Sequence, residues 1–175
     1  RGPGGVQILP CRLCADIFVK ITRDYIYMKN NQYCVIMAGG HLNRFWPISR
    51  EGMPGHFLDI SGTGKSLVRM AYERCLGVVP EENILIITLG KFKGIINEQI
   101  PELPKENLLL EPYARRTAPC IAYATYTLLK RNPDAVMAAT PADIIVNDEQ
   151  LFKETMTNAL DYAEKNPVLV TLGVK

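Results

Sequence analysis

Long apolar runs are missing from this 175-residue chain. None approaches the roughly 18 residues that a membrane-spanning helix needs, so no membrane association is expected. Charge of one sign is missing too. Lys plus Arg number 20 and Asp plus Glu number 18, which leaves no global field to draw in nucleic acid or an anionic bilayer. Histidine is scarce, with only His41 and His56; both are expected to be exposed and are given no role. Cys11 and Cys14 form a lone C-R-L-C, and a zinc site would want a second pair or histidines at ligand spacing, so none is expected. Cys34, Cys75 and Cys120 sit inside apolar patterns and read as small core residues kept reduced, which points to the cytoplasm. Repeats and low-complexity segments are also absent. What is present is an ordinary globular balance, 47% hydrophobic and 22% charged, in a length that suits one α/β domain with a real core and not two.

Residues 1–27 begin R-G-P-G-G without an initiator Met and carry no clean period. Asp16, Lys20 and Arg23 interrupt any signal-peptide apolar region. They are read as an extension outside the fold, with Met28 as a plausible start and 28–175 as the folded part. From Tyr33 the chain alternates. Apolar, branched runs predict strands at Tyr33–Ala38, Ile84–Thr88, Leu108–Leu110, Ala135–Ala139 and Val168–Leu172, with a weak one at Phe57–Ile60. Helices are predicted over Ser66–Cys75, where Leu67, Met70, Ala71 and Cys75 share a face; over Lys91–Gln99; from an N-cap at Thr117 to about Lys130; and from Asp148 to about Lys165. Strands alternating with helices of this length imply an α/β, Rossmann-like three-layer fold with a mainly parallel sheet. The chain stops straight out of its last predicted strand, which reads as a domain cut short at its C-terminal end.

Ligands on such sheets bind beyond the carboxyl ends of the strands. Three predicted strands end there in candidate chemistry. Gly39-Gly40 lets backbone N–H groups approach phosphate oxygens closely, with Arg44 four residues on as a fork of donors; the alternative is a tight turn with Arg44 solvated. Asp143, after Thr140-Pro141-Ala142, could hold Mg²⁺ against phosphate, or could cap a turn. Glu111-Pro112 closes the third. Arg115-Arg116 before the Thr117 helix could meet a nucleotide at the helix N-terminus or lie solvated. Phe45 and Trp46 read as core packing under the loop. Gly62-Thr63-Gly64-Lys65-Ser66 looks like the end of a P-loop, but position 59, where that motif needs glycine, is Asp59, so it is read as a turn.

Together V-I-M-A-G-G with Arg44-Phe45-Trp46-Pro47, Phe57-Leu58-Asp59, G-T-G-K-S-L, L-L-L-E-P with R-T-A-P-C-I-A-Y-A, and V-T-L-G resemble the sugar-nucleotide pyrophosphorylases, nearest to their mannose-1-phosphate guanylyltransferase branch. The resemblance runs from about Gln32 to Lys175. It implies a fold of the nucleotide-diphospho-sugar transferase type, and transfer of GMP from GTP to mannose 1-phosphate with release of pyrophosphate. It implies that Ala38, Gly39 and Gly40 lie along the nucleotide, that Arg44 neutralises the triphosphate as the catalytic cation, that Glu111, Pro112, Thr117 and Ala118 border the guanine, and that Asp143 holds Mg²⁺. It also shows departures. The family loop A-G-G-x-G-[ST]-R has Leu42 in place of its third glycine. The family P-K-Q-F is Pro54-Gly55-His56-Phe57, so its phosphate-contacting lysine is Gly55. P-S-D-H is Pro141-Ala142-Asp143-Ile144, and the family's sugar-binding motifs lie beyond Lys175. These departures imply little or no turnover. The alternatives are a non-catalytic nucleotide-binding relative, and an enzyme using another nucleoside triphosphate or hexose 1-phosphate.

Overall fold

A computed structural model describes residues 31–40 and 45–173. Residues Asn31–Lys175 form one compact unit. The expectations for residues 1–27, Cys11, Cys14 and Met28 fall outside the described residues.

Among the described residues four strands form one sheet: β1 Gln32–Met37, β2 Ile84–Leu89, β3 Leu108–Glu111 and β4 Val136–Pro141. Their order is β3-β2-β1-β4, and all three pairings are parallel. Among the described residues four α-helices accompany them: α1 Leu67–Leu76, α2 Lys93–Gln99, α3 Thr117–Arg131 and α4 Glu149–Lys165. Side chains alternate across a strand, and the core divides accordingly. Cys34, Ile36, Ile84 and Ile86 face one side and pack with Val68, Ala71 and Cys75 of α1, Ile96 of α2, and Met156 and Leu160 of α4. Val35, Leu85 and Ile87 face the other and pack with Cys120, Ala124 and Leu128 of α3. β1 and β2 are therefore apolar on both faces, which explains why they read as continuous apolar runs. Each fully buried Ile or Leu contributes about 1.5–3 kcal/mol.

The helix starts have local causes. Ser66 caps α1, its Oγ accepting from the Arg69 N–H at 3.3 Å, and donates to Gln99 Oε1 at 2.7 Å. Asp148 caps α4 by accepting from the Leu151 N–H at 2.9 Å. Gln32 at the start of β1 donates to Asp161 and Glu164 in the last turns of α4. The three buried cysteines are free.

Four expectations are corrected. Thr117 is the first helical residue of α3; the N-cap is Arg116, at φ 70, with no side-chain capping bond. Gly55–Phe57 is a 3-10 turn and the predicted strand Phe57–Ile60 does not form. Residues 168–172 form no strand either. Their β pattern is a local property, whereas a strand exists only where a neighbouring backbone takes its hydrogen bonds; Leu169 stands fully exposed. Trp46 is 76% exposed and not core, because the close packing against Gly55 is made by Phe45.

Candidate functional site

With β2 and β3 to one side of β1 and β4 to the other, the chain direction across the sheet reverses between β1 and β4. In open parallel sheets a crevice opens at that point, beyond the carboxyl ends of the strands. Backbone bonds tie these ends together: the Ala38 N–H donates to Ile87 O at 2.8 Å and the Ala142 N–H to Met37 O at 3.1 Å. The buried Thr88 hydroxyl donates to the Ala38 carbonyl at 2.7 Å. Gly39 lies close to Thr88 of β2 and Glu111 of β3. A Cβ there would come within 2.6 Å of Glu111 Oε2 and 3.6 Å of Thr88 Cα, so the glycine makes room for the carboxylate. Glu111 is 8% exposed, and burial raises its pKa above the usual carboxylate range. Gly40 is exposed, with open space where a side chain would be.

The structure thus brings Ala38, Gly39, Glu111 and Asp143 to one edge of the sheet. Pro112, Thr117 and Ala118 continue from Glu111 on exposed backbone at the start of α3. Arg44, with His41, Leu42 and Asn43, lies outside the described residues. The P-loop-like stretch is otherwise engaged. The Asp59 carboxylate accepts from the Thr63 and Gly64 N–H groups at 3.0 and 2.7 Å, and the bond from Gly64 foremost holds its pKa low. Those are amides a phosphate would need, and Lys65 is paired with Glu73 at 2.8 Å.

Comparison with known proteins gives the family. The family model for nucleotidyl transferases matches residues 33–175. The chain belongs to the nucleotidyl transferase family. It is 36% identical over 144 residues to the mannose-1-phosphate guanylyltransferase RfbM of Salmonella typhimurium, covering 80% of this chain and 29% of that protein. It is 37% identical over 146 residues to a mannose-1-phosphate guanylyltransferase of Escherichia coli, covering 81% and 30%. The chain therefore spans less than a third of the length of these relatives. Among solved structures, one described as a mannose-1-phosphate geranyltransferase from Thermus thermophilus superposes with a TM-score of 0.68 at 32% identity, over 77% of this chain and 39% of that one. A mannose-6-phosphate isomerase from Helicobacter pylori, at 23% identity and a TM-score of 0.60 over 77% and 47%, shares the fold.

Two residues of this family member carry more than the sequence suggested. His56 is 1% exposed, not solvated as expected. It packs edge-on to Phe57, ring centroids 4.1 Å apart, with Phe92 beyond at 6.4 Å. Burial pushes its pKa down to about 4, opposed by the charge of Asp143 and the carbonyl of Ala38. Neither ring nitrogen makes a hydrogen bond of acceptable geometry. No period runs through residues 45–65, so nothing in the sequence signalled this burial. Arg74 is 6% exposed. Its position was legible, seven residues after Leu67 on the buried face of α1, but its charge argued for solvent.

Position 55 is also filled in a way the sequence does not show. A Cβ on Gly55 would lie 2.1 Å from Cδ2 of Phe45. The ring occupies the space through which a side chain at 55 would leave the backbone.

Among the described residues no group of three or more His, Cys, Asp or Glu side chains could hold a metal ion. Asp143, half-buried, offers one carboxylate. That fits Mg²⁺ brought in on phosphate oxygens, since this ion keeps most of its waters and takes one or two protein carboxylates.

Proposed function

We propose that this chain forms the nucleotide-binding part of a mannose-1-phosphate guanylyltransferase, taking GTP with Mg²⁺ at the carboxyl edge of its sheet. The observation that carries the reading is the convergence of Gly39-Gly40, Glu111 and Asp143 from three separate strands on one crevice. The names of the relatives supply the nucleotide and the sugar phosphate. In the reaction a mannose 1-phosphate oxygen attacks the α-phosphorus of GTP in line, GMP is transferred and pyrophosphate leaves. The protein's part is positioning and charge neutralisation.

In this reading the N–H groups after Ala38 hold phosphate oxygens where no Cβ intervenes, and Arg44 adds cationic charge. Glu111, Pro112, Thr117 and Ala118 border the guanine, and the Glu111 carboxylate accepts from the base's N–H groups. Asp143 holds Mg²⁺, which supplies neutralisation of the phosphate charge. The chain lacks a cation at position 55, where the Phe45 ring stands instead. A missing phosphate-clamping charge costs about 10²–10³ in rate, so the chain binds nucleotide and turns over poorly.

Calorimetric titration with GTP and Mg²⁺, with UTP as the control, tests this. Selective binding of GTP is expected, with pyrophosphate release from GTP plus mannose 1-phosphate far below one per second. Equal affinity for UTP removes the guanylyl assignment. A turnover of a few per second or more, an ordinary enzyme rate, removes the claim of poor catalysis.

A further inference from the structure

Among the described residues four buried side-chain nitrogens have no hydrogen-bond partner, and they belong to two residues: both ring nitrogens of His56, and Nε and Nη1 of Arg74. Both residues flank the same short stretch. His56 lies within the field of Asp143. Arg74 reaches across from α1, 70 positions away in sequence, and its Nη2 donates to the Ile144 carbonyl at 3.1 Å. The guanidinium also lies 5.8 Å from the centroid of the Phe152 ring in α4. Burial lowers its pKa, with the charges of Cys75 and Glu149 only partly opposing.

A buried cation with two idle donors is a poor way to fill a core. Apolar replacement of buried ionic groups is often neutral or stabilising, so stability alone does not explain an arginine here. What it does contribute is an anchor for the peptide group directly after Asp143. We propose that Arg74 is a positioning residue, which fixes the Ile144 carbonyl and through it aims the Asp143 carboxylate into the nucleotide crevice. The inference rests on the reading above that Asp143 acts on Mg²⁺ and phosphate. A carboxylate at the end of a strand turns with its backbone, and the segment from β4 to α4 is held at one end by the Ala142 N–H to Met37 O bond and at the other by the Asp148 cap. Arg74 ties the segment between them, at the Ile144 carbonyl.

The test compares Arg74→Met, Arg74→Lys and Asp143→Asn with the unaltered chain. In the ligand-free protein, amide hydrogen exchange over 142–148 is read first. Arg74→Met is expected to speed exchange there by tenfold or more while β1 and β2 stay protected, and Arg74→Lys to restore part of the protection. Next, GTP binding is measured with Mg²⁺ and in excess chelator. Arg74→Met is expected to lose about ten- to a hundredfold of the Mg²⁺-dependent gain in affinity, the usual effect of removing a group that orients a metal ligand, with metal-free binding unchanged. If exchange over 142–148 is unaltered, or rises equally across the whole sheet, Arg74 is structural and the proposal is overturned. If Asp143→Asn abolishes the Mg²⁺ gain and Arg74→Met keeps it, the positioning role alone falls. If Asp143→Asn leaves the gain intact, the role of Asp143 fails and the proposal falls with it. Should Arg74→Met fail to fold, Arg74→Lys carries the same two readouts: exchange and Mg²⁺ gain identical to the unaltered chain refute the proposal.

Discussion

Acid should destabilise this protein through His56 specifically. The ring is 1% exposed and its pKa is lowered from 6.5 to about 4 by burial, with Asp143 and the Ala38 carbonyl only partly opposing. Phe57 and Phe92 are its ring neighbours. In the unfolded chain the ring takes its proton near pH 6.5; in the folded one it stays neutral until about pH 4. The stabilisation is therefore complete above pH 6.5 and is lost as pH falls from there towards 4. A displacement of that size corresponds to about 3 kcal/mol, a large part of a typical domain's 5–15 kcal/mol. The perturbation is His56→Gln, an uncharged replacement of similar reach. Urea unfolding of both proteins at steps between pH 7.5 and 4 gives the difference in stability, and carboxylates elsewhere cancel from it. The unaltered protein should lose about 3 kcal/mol relative to the variant across that window. Curves that run parallel to within about 0.5 kcal/mol, the usual margin for sites that do not couple, would refute the burial argument.

Restoring a cation at position 55 should fail unless Phe45 is also removed. Gly55→Lys alone places Cβ 2.1 Å from the ring, and is expected to cost about 1–3 kcal/mol with pyrophosphate release unchanged; Phe45→Ala with Gly55→Lys should raise release about tenfold or more. Asn107→Leu should cost about 2–4 kcal/mol in urea unfolding. That amide is 2% exposed, donates to the Glu82 and Ile84 carbonyls and accepts from Arg131 at 2.8 Å. Arg116→Gly should stabilise by about 1 kcal/mol, because a side chain at φ 70 and ψ −167 is strained where glycine is not; an unchanged urea midpoint would show the strain to be absent.

Much of the fold could be read in the chain because its central strands are apolar on both faces. Ile84–Leu89 is buried along its whole length, and no amphipathic helix has that pattern. Ser66 and Asp148 announced their helices because a cap is a local interaction. Residues 168–172 misled for the opposite reason: they have the composition of a strand, and pairing is decided elsewhere in space. The convergence of Gly39, Glu111 and Asp143 was legible from strand ends alone. The contact between Gly39 and Glu111 was not, since 72 positions of sequence separate residues that two strand registers bring together. Arg116 was missed as a cap because its conformation is set by the turn out of β3 and not by its own preference.

The register of the sheet also governs how it assembles. A wholly parallel sheet contains no hairpin, so no two strands can zip from a turn. β1 meets β2 across about 50 residues of intervening chain and β4 across about 100, and the larger closure costs about 0.6 kcal/mol more in chain entropy. Domains dominated by such distant pairings fold slowly. β4 is also the least buried strand, half-exposed over most of its length. Asp143 lies two residues beyond β4, so its place at the crevice waits on the pairing that spans the longest stretch of chain.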